Sequence, residues 1–202
     1  MIGCRTADGT VSDPDFLCLA PAVLAELIAL MPQSRRTASE LALEIRFPGV
    51  HFYNAALVEV QENVQIGAGS RVGSFALIQS GAVIGTGTTI GSHCNICDCR
   101  IGNNVSIQTG CHITRGVVVE DEVFIGPGVV TMNDKLRGDG ATSFPRIGRN
   151  AKIGGGSCIL PGVIIGADAV IGAGSVIATN VPPGTVVYGD PARVQAMNIG
   201  KS

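Results

Sequence analysis

Aliphatic residues recur every six positions through most of this 202-residue chain. The series starts at Val60, takes one five-residue step between Ile96 and Ile101, and returns after an interruption as residues 147–177. Small or β-branched residues stand four places after nearly every member of the series. A period of six does not fit the 3.6-residue turn of a helix, whereas inward positions an even number of residues apart fit a strand. The array therefore predicts an all-β fold, a parallel β-helix of short strands and turns.

Glycine directly follows most of these aliphatic positions, for example at Gly85, Gly126 and Gly154. We predict that these glycines occupy corners with positive or unusual φ and that Asn103, Asn104, Asn150 and Asp168 take similar corners. Three hexads then form one triangular coil, and about six coils stack at a spacing of about 4.8 Å. An ordinary β-sandwich would instead show strands of mixed length at irregular spacing.

The composition suits a solenoid and limits the partners. Aromatic residues make up 4% of the chain, 28 residues are glycine, and the net charge is −2. The charge argues against general nucleic-acid binding. No stretch approaches the length of a transmembrane helix, and the N-terminus has neither a basic region nor an apolar signal core. We expect a cytoplasmic protein that binds neither nucleic acid nor membrane.

The seven cysteines do not suggest a disulfide framework, because their number is odd. Cys94 and Cys111 fall among the inward small residues, where a thiol acts as a small hydrophobe. Cys94, Cys97 and Cys99 have the spacing of a metal site, but they span the five-residue step and would not easily converge on one ion. We predict packing and corner roles for them, and no metal.

The pattern divides the chain into three parts. Residues 1–49 form an N-terminal appendage, residues 50–186 form the β-helix, and residues 187–202 form a C-terminal tail. We call each aliphatic residue of the series a rung. Residues 131–146 interrupt the β-helix with a polar, glycine-rich stretch that contains no rung. A loop of this length on a rigid scaffold is a frequent carrier of function.

Within the appendage, residues 21–31 show a helical apolar pattern that Pro32 ends. Thr37 and Glu40 fit a capping box, yet the apolar residues in 41–47 alternate as in a strand, so helix and strand both remain open there. Two roles also remain open for the appendage. It either caps the first coil, whose strand edges are otherwise unpaired, or contributes to acceptor binding.

The hexads resemble those of the hexapeptide-repeat acyltransferases, and two motifs extend the resemblance. Residues 123–135 are similar to the stretch ending in Phe-Thr-Asn-Asp of enzymes that N-acylate nucleotide-linked amino sugars, and residues 181–193 are similar to the C-terminal signature of the wider family. The resemblance implies a left-handed β-helix, an exception to the usual crossover handedness. It also implies acyl-CoA as donor and a homotrimer with active sites between neighbouring prisms. A flat-sided prism has no pocket of its own, and threefold symmetry repeats the pocket that two prisms make.

The chain departs from the sugar N-acyltransferase pattern in three places. Residues 107–112 lack the pair of asparagines that many members carry, Thr131 and Met132 replace the usual Phe-Thr, and the Pro-Arg pair stands later, at residues 145–146. The reaction class is unaffected, but these motifs do not define the acceptor sugar.

The resemblance places Asn133 at the family's active-site asparagine. Its amide would accept from and donate to an acceptor amine, although it cannot act as a base; a plain turn residue is the alternative. His112 directly precedes a rung, so its side chain should point outward, where it would take the proton from the amine or have no task. Asp134 is a candidate to hold the amine as a cation or to orient His112.

By the same resemblance, coenzyme A should lie along the later coils, where side chains must be small. The candidate residues for its pantetheine arm are Gly154, Gly155, Gly156, Ala173 and Gly174. These residues also suit plain corners. Arg193 or Lys201 would meet the coenzyme phosphates, unless the C-terminal segment is only a solvated tail.

We therefore predict an acetyl-CoA-dependent N-acyltransferase that acts on the amine of a nucleotide-linked amino sugar. O-acetylation of a sugar or serine hydroxyl and a non-catalytic β-helix scaffold remain as alternatives. The same prism hosts zinc-dependent carbonic anhydrases, which need three converging imidazoles that include a close pair. His51, His93 and His112 contain no such pair.

Overall fold

Short parallel strands separated by tight corners make up most of the protein in a computed structural model, which describes residues 38–134 and 143–197. The strands form three sheets, and the chain visits the sheets in turn. Sheet 1 contains β1 (His51–Phe52), β4 (Arg71–Val72), β7 (Thr89–Ile90), β10 (Ser106–Ile107), β13 (Phe124–Ile125), β16 (Lys152–Ile153), β19 (Val170–Ile171), β21 (Thr185–Gly189) and β22 (Ala192–Met197).

The other two sheets complete the triangular cross-section. Sheet 2 contains β2 (Glu59–Val60), β5 (Leu77–Ile78), β8 (Asn95–Ile96), β11 (His112–Ile113), β14 (Val130–Thr131), β17 (Cys158–Ile159) and β20 (Val176–Ile177). Sheet 3 contains β3 (Gln65–Ile66), β6 (Val83–Ile84), β9 (Arg100–Ile101), β12 (Val118–Val119), β15 (Arg146–Ile147) and β18 (Ile164–Ile165). The predicted fold class, an all-β parallel β-solenoid, is confirmed.

The second residue of each short strand points into the solenoid and the first points outward, because successive strand side chains alternate. The predicted rungs from Val72 to Ile177 are buried, whereas Val60 and Ile66, in the first coils, are partly exposed. Parallel pairing stacks each rung on the equivalent rung of the next coil, as for Ile107 and Ile125. The core is thus a narrow column of isoleucine and valine.

The glycines that follow the rungs do not have positive φ, so this part of the sequence prediction was wrong. They are needed for a different reason, the close approach of the next coil. A Cβ added to Gly126 would lie 2.5 Å from the backbone nitrogen of Gly155, and one added to Gly154 would clash with the backbone of Ala173. Positive φ occurs two residues later, as at Gly128 with φ 67°.

Three of the four predicted asparagine and aspartate corners were correct. Asn104, Asn150 and Asp168 have φ of 53°, 56° and 59°, whereas Asn103 does not have positive φ.

Phe75 and His93 also adopt positive φ, 59° and 57°, although such a bulky ring rarely does so. Their rings stack with centroids 4.8 Å apart and an interplanar angle of 13°. This stacking offsets part of the backbone strain at the corner.

Helix α1 (Ala38–Arg46) resolves the segment that the sequence left open between helix and strand. A 3-10 turn (Ala55–Leu57) follows after β1. Phe47 is buried, and the Arg46 guanidinium donates to the carbonyl oxygens of Val60 at 3.2 Å and Gln61 at 2.6 Å. The described part of the appendage therefore packs on the first coil. The helix predicted at 21–31 lies outside the described residues.

The interruption of the six-residue series is shorter than the sequence suggested, because β14 extends to Thr131 and β15 starts at Arg146. Thr131 is fully buried at a rung position and pairs with Ile159. Its Oγ1 accepts from the backbone nitrogen of Thr114 at 2.9 Å and lies 2.9 Å from the Thr114 hydroxyl. These bonds satisfy the hydroxyl, so a threonine can replace the aliphatic rung.

Residues 187–197 of the predicted tail belong to a hairpin that continues sheet 1. Strand β21 pairs in parallel with β19 and antiparallel with β22. Within residues 38–134 and 143–197, no helix is long and apolar enough to cross a membrane.

Candidate active site

His112 begins β11, and its side chain lies on the outer surface of sheet 2, as predicted from its place before a rung. The imidazole is half-buried, whereas the next residue, Ile113, is completely buried. Its Nε2 lies 3.6 Å from the Sγ of Cys97, a neighbour from the preceding coil. The ring is therefore held at one nitrogen.

A row of polar side chains continues from His112 toward the N-terminal coils. The Cys97 thiol donates to Asn95 Oδ1 at 3.9 Å, and Gln79 Nε2 donates to the same oxygen at 2.8 Å. Burial raises the pKa of the Cys97 thiol, which keeps it protonated near neutral pH. Sequence reasoning gave no task to Asn95 or Gln79. The sequence did contain a signal for Asn95, because this residue has the same position in its hexad as His112 and lies one coil before it.

Asn133 follows β14 at the corner between sheets 2 and 3. Its Nδ2 donates to the backbone oxygen of Arg115 at 3.2 Å, and its own backbone oxygen accepts from Ser143 at 3.2 Å. His112 starts β11 and pairs with Val130, whereas Asn133 lies beyond the end of β14, so the two residues are on neighbouring coils at opposite ends of the sheet 2 strands. Among the described residues, no donor reaches the Asn133 Oδ1.

Asp134 is exposed and has no hydrogen bond to His112. It is the last described residue before 135–142, and its predicted role stays a prediction.

The cysteine motif does not converge on one point. Cys94 and Cys99 are buried in the interior, while Cys97 lies on the outer surface of sheet 2. The Cys94 thiol donates to the backbone oxygen of Gln108 at 3.1 Å, and burial raises the pKa of the Cys99 thiol well above its usual value. In the part of the chain that the structure describes, no three His, Cys, Asp or Glu side chains are grouped to hold a metal ion.

One position of the corner between sheets 1 and 2 is a glycine in four consecutive coils, and we call this corner the glycine corner. Its residues are Gly110, Gly128, Gly156 and Gly174. Their φ values are 74°, 67°, 69° and 68°, and a Cβ added to any of them would meet nothing within 4 Å. The corner starts beside His112 and runs toward the C-terminal coils, and the exposed residues Thr109, Pro127 and Ala173 directly precede three of its glycines.

Some of the predicted coenzyme residues belong to the glycine corner, and others pack against the backbone of a neighbouring coil. Gly156 and Gly174 belong to the glycine corner, and Ala173 is exposed beside it. Gly154 and Gly155 instead face neighbouring backbone, with the carbonyl oxygen of Pro127 3.0 Å from a Cβ added to Gly155.

The predicted phosphate contacts lie at the end of the chain, away from the imidazole. Arg193 is exposed on β22, opposite Tyr188 in the terminal hairpin. Lys201 lies outside the described residues.

Known proteins share this architecture. Residues 98–132 and 144–179 match the family model of the bacterial transferase hexapeptide, six repeats. The acyl-[acyl-carrier-protein]–UDP-N-acetylglucosamine O-acyltransferase of Gloeothece citriformis (strain PCC 7424) is 31% identical over 108 residues, which cover 50% of this chain and 33% of that protein. Nodulation protein L of Rhizobium meliloti (strain 1021) is 64% identical over 50 residues, which cover 25% and 27%.

Among solved structures, the acetyltransferase domain of PglB from Neisseria gonorrhoeae FA1090 is 25% identical, with a TM-score of 0.51 over 77% of this chain and 62% of that chain. The matches span 33% and 27% of the length of the two curated relatives. The matched repeats and the stacked parallel coils agree with the resemblance found in the sequence. Residues 98–132 and 144–179 of the chain are thus similar to bacterial transferase hexapeptide repeats.

Proposed function

We propose that this protein transfers an acetyl group from acetyl-CoA to the amine of a nucleotide-linked amino sugar. One observation carries the proposal: His112 lies on the outer surface of sheet 2, with the glycine corner on one side and Asn133, one coil later, on the other. The set combines a proton acceptor, an amide side chain and a corner whose four glycines carry no Cβ. The names of an O-acyltransferase and of an acetyltransferase domain among the similar proteins support acyl transfer.

The glycine corner suits the pantetheine arm, because the backbone at its four glycines is accessible and the space where a Cβ would lie is empty. Bound acetyl-CoA would supply the thioester carbonyl. The amine forms the new C–N bond, the C–S bond breaks, and the proton of the amine moves to His112 and on to the leaving sulfur. When Nε2 of His112 donates to Cys97, Nδ1 is left to receive that proton.

Asn133 serves the other half of the reaction by holding the acceptor. Its Nδ2 is engaged with Arg115, which fixes the amide plane and leaves Oδ1 to accept from the amine. Positioning of this kind lowers the barrier because the reactants no longer have to find their orientation.

We also propose that the protein is a homotrimer, with each site completed by a second copy. The outer surface of sheet 2 is apolar beyond His112, toward the C-terminal coils. The residues concerned are Val130, Met132, Cys158, Leu160, Val176 and Ala178. A flat apolar wall next to the imidazole needs a partner to exclude water.

Release of free thiol from acetyl-CoA, measured with UDP- and dTDP-linked amino sugars, tests the reaction. We expect saturable release with at least one amine and an amide in the product. The matching sugars with a hydroxyl in place of the amine are the controls, and acylation of these alone would replace the N-acyl proposal by O-acyl transfer. If calorimetry shows no saturable binding of acetyl-CoA, the non-catalytic β-helix scaffold becomes the favoured alternative.

Gly156→Asn should weaken acetyl-CoA binding about 10-fold or more, because its side chain would enter the glycine corner. Gly184→Asn is the matched control, since Gly184 also has a left-handed φ (59° against 69°) and open space around its Cβ position, but lies on another corner. Asparagine tolerates such a φ, so both variants should fold. Calorimetric titration with acetyl-CoA gives the two dissociation constants, and equal values for both variants would place the coenzyme elsewhere.

A further inference from the structure

A groove of about 300 Å³ lies at the corner between sheets 2 and 3. Its charged lining consists of Asp98, Arg100 and Arg115, all exposed, and Phe144 contributes a ring that is 40% exposed. The remaining lining is corner backbone and small apolar residues. It is the cavity that adjoins Asn133, because the backbone oxygen of Arg115 accepts from the Asn133 amide at 3.2 Å.

In residues 38–134 and 143–197, neither arginine of the groove forms an ion pair. Among the described residues, neither the Arg100 nor the Arg115 guanidinium has a side-chain partner, whereas Arg149 on the same side of the molecule pairs with Asp121 at 3.3 Å. Two guanidinium groups and one carboxylate leave the groove with a positive charge. Guanidinium forks match the oxygens of phosphate groups, which they bind through paired hydrogen bonds.

Phe144 stands over the floor of the groove. Its ring packs against the Gly116 backbone so closely that a Cβ on Gly116 would clash with it. The ring is thus held in place on one side, and its exposed part gives a planar apolar surface beside the two cations. Such a surface suits a nucleobase, since every base has a face that stacks on an aromatic ring.

We propose that this groove binds the nucleoside diphosphate of the acceptor, with Arg100 and Arg115 on the diphosphate and Phe144 against the base. Asp98 is the one acid in the groove and is suited to accept from ribose hydroxyls. The inference rests on the proposed function for the identity of the whole acceptor. It adds the residues that recognise the nucleotide and their position next to Asn133, where the sugar amine would lie.

The test is calorimetric titration of the full chain with UDP, dTDP and GDP, with uridine and inorganic phosphate as partial ligands. We expect a nucleoside diphosphate to bind more tightly than either partial ligand. Arg100→Met and Arg115→Met should each weaken that binding about 10-fold or more, and Phe144→Ala should weaken uridine binding as well. Arg71→Met is the matched control, since Arg71 is also exposed at the start of a strand but lies on sheet 1.

The inference is overturned if none of the three nucleotides binds, or if Arg100→Met and Arg115→Met bind as Arg71→Met does. Salt provides a second measure on the unaltered protein, because added NaCl should raise the dissociation constant for UDP if two arginines hold the phosphates. Acetyl-CoA binding should be the same in all four variants. Arginine-dependent UDP binding without acyl transfer to any amine would refute the proposed function and leave the groove assignment intact.

Discussion

At pH 7, His112→Ala should transfer acetyl groups to the amine acceptor about 100-fold more slowly than the wild-type protein. A positioned general base contributes about 10²-fold to 10⁴-fold, and an amine needs less help than a hydroxyl. The lost rate should partly return as the pH is raised, because the amine then loses its proton without a base. The measurement is kcat from thiol release between pH 6 and pH 10. The substitution leaves the core untouched, since the imidazole points outward.

The matched control is His93→Ala, which removes an exposed histidine that stacks on Phe75 at a corner. We expect its kcat to remain within about twofold of the wild-type value. A His112→Ala variant that is equally active would remove His112 from the mechanism. Loss of turnover at every pH, with no recovery in alkali, would instead favour a hydroxyl acceptor.

Ile165→Ala should lower the free energy of unfolding by about 2–5 kcal/mol, the usual cost of removing a buried isoleucine side chain to its Cβ. Ile165 is 1% exposed and stacks on Ile147 of the preceding coil. The backbone corners hold consecutive coils at a constant spacing, so neighbouring rungs cannot move in to fill the cavity. Urea unfolding followed by circular dichroism gives the shift in midpoint.

The preceding residue supplies the control. Ile164 belongs to the same strand and has the same side chain, but it is 48% exposed on the outer surface of sheet 3. Ile164→Ala should change the unfolding free energy by no more than about 0.5 kcal/mol. Equal losses for the two variants would mean that the rung column does not dominate stability.

Much of the fold was predictable because the coils repeat the same short-range pattern. Each rung pairs with a rung about 18 residues away, as Ile107 does with Ile125, so one hexad predicts the environment of the next. The outward direction of His112 followed from the same period. The helical state of residues 41–46 did not, because an alternating apolar pattern over so few residues fits both a strand and a helix.

The reason for the glycines after the rungs was also beyond the sequence. A glycine can be needed either because φ is positive or because another backbone comes close. The sequence does not distinguish these reasons, whereas the short distance from Gly126 to the backbone of Gly155 shows that close approach applies there. Thr131 was missed as a rung because its burial depends on the hydroxyl of Thr114, which belongs to another coil.

The sequence alone determined the period, and with it the strands, the corners and the column of buried isoleucines. Only the tertiary structure decided which side chains meet across coils: Cys97 with His112, and Asn133 with Arg115. These partners are 15 and 18 residues apart. A repeat shows which way each side chain points, but contact between coils also depends on their register and on the course of the chain through the interruption.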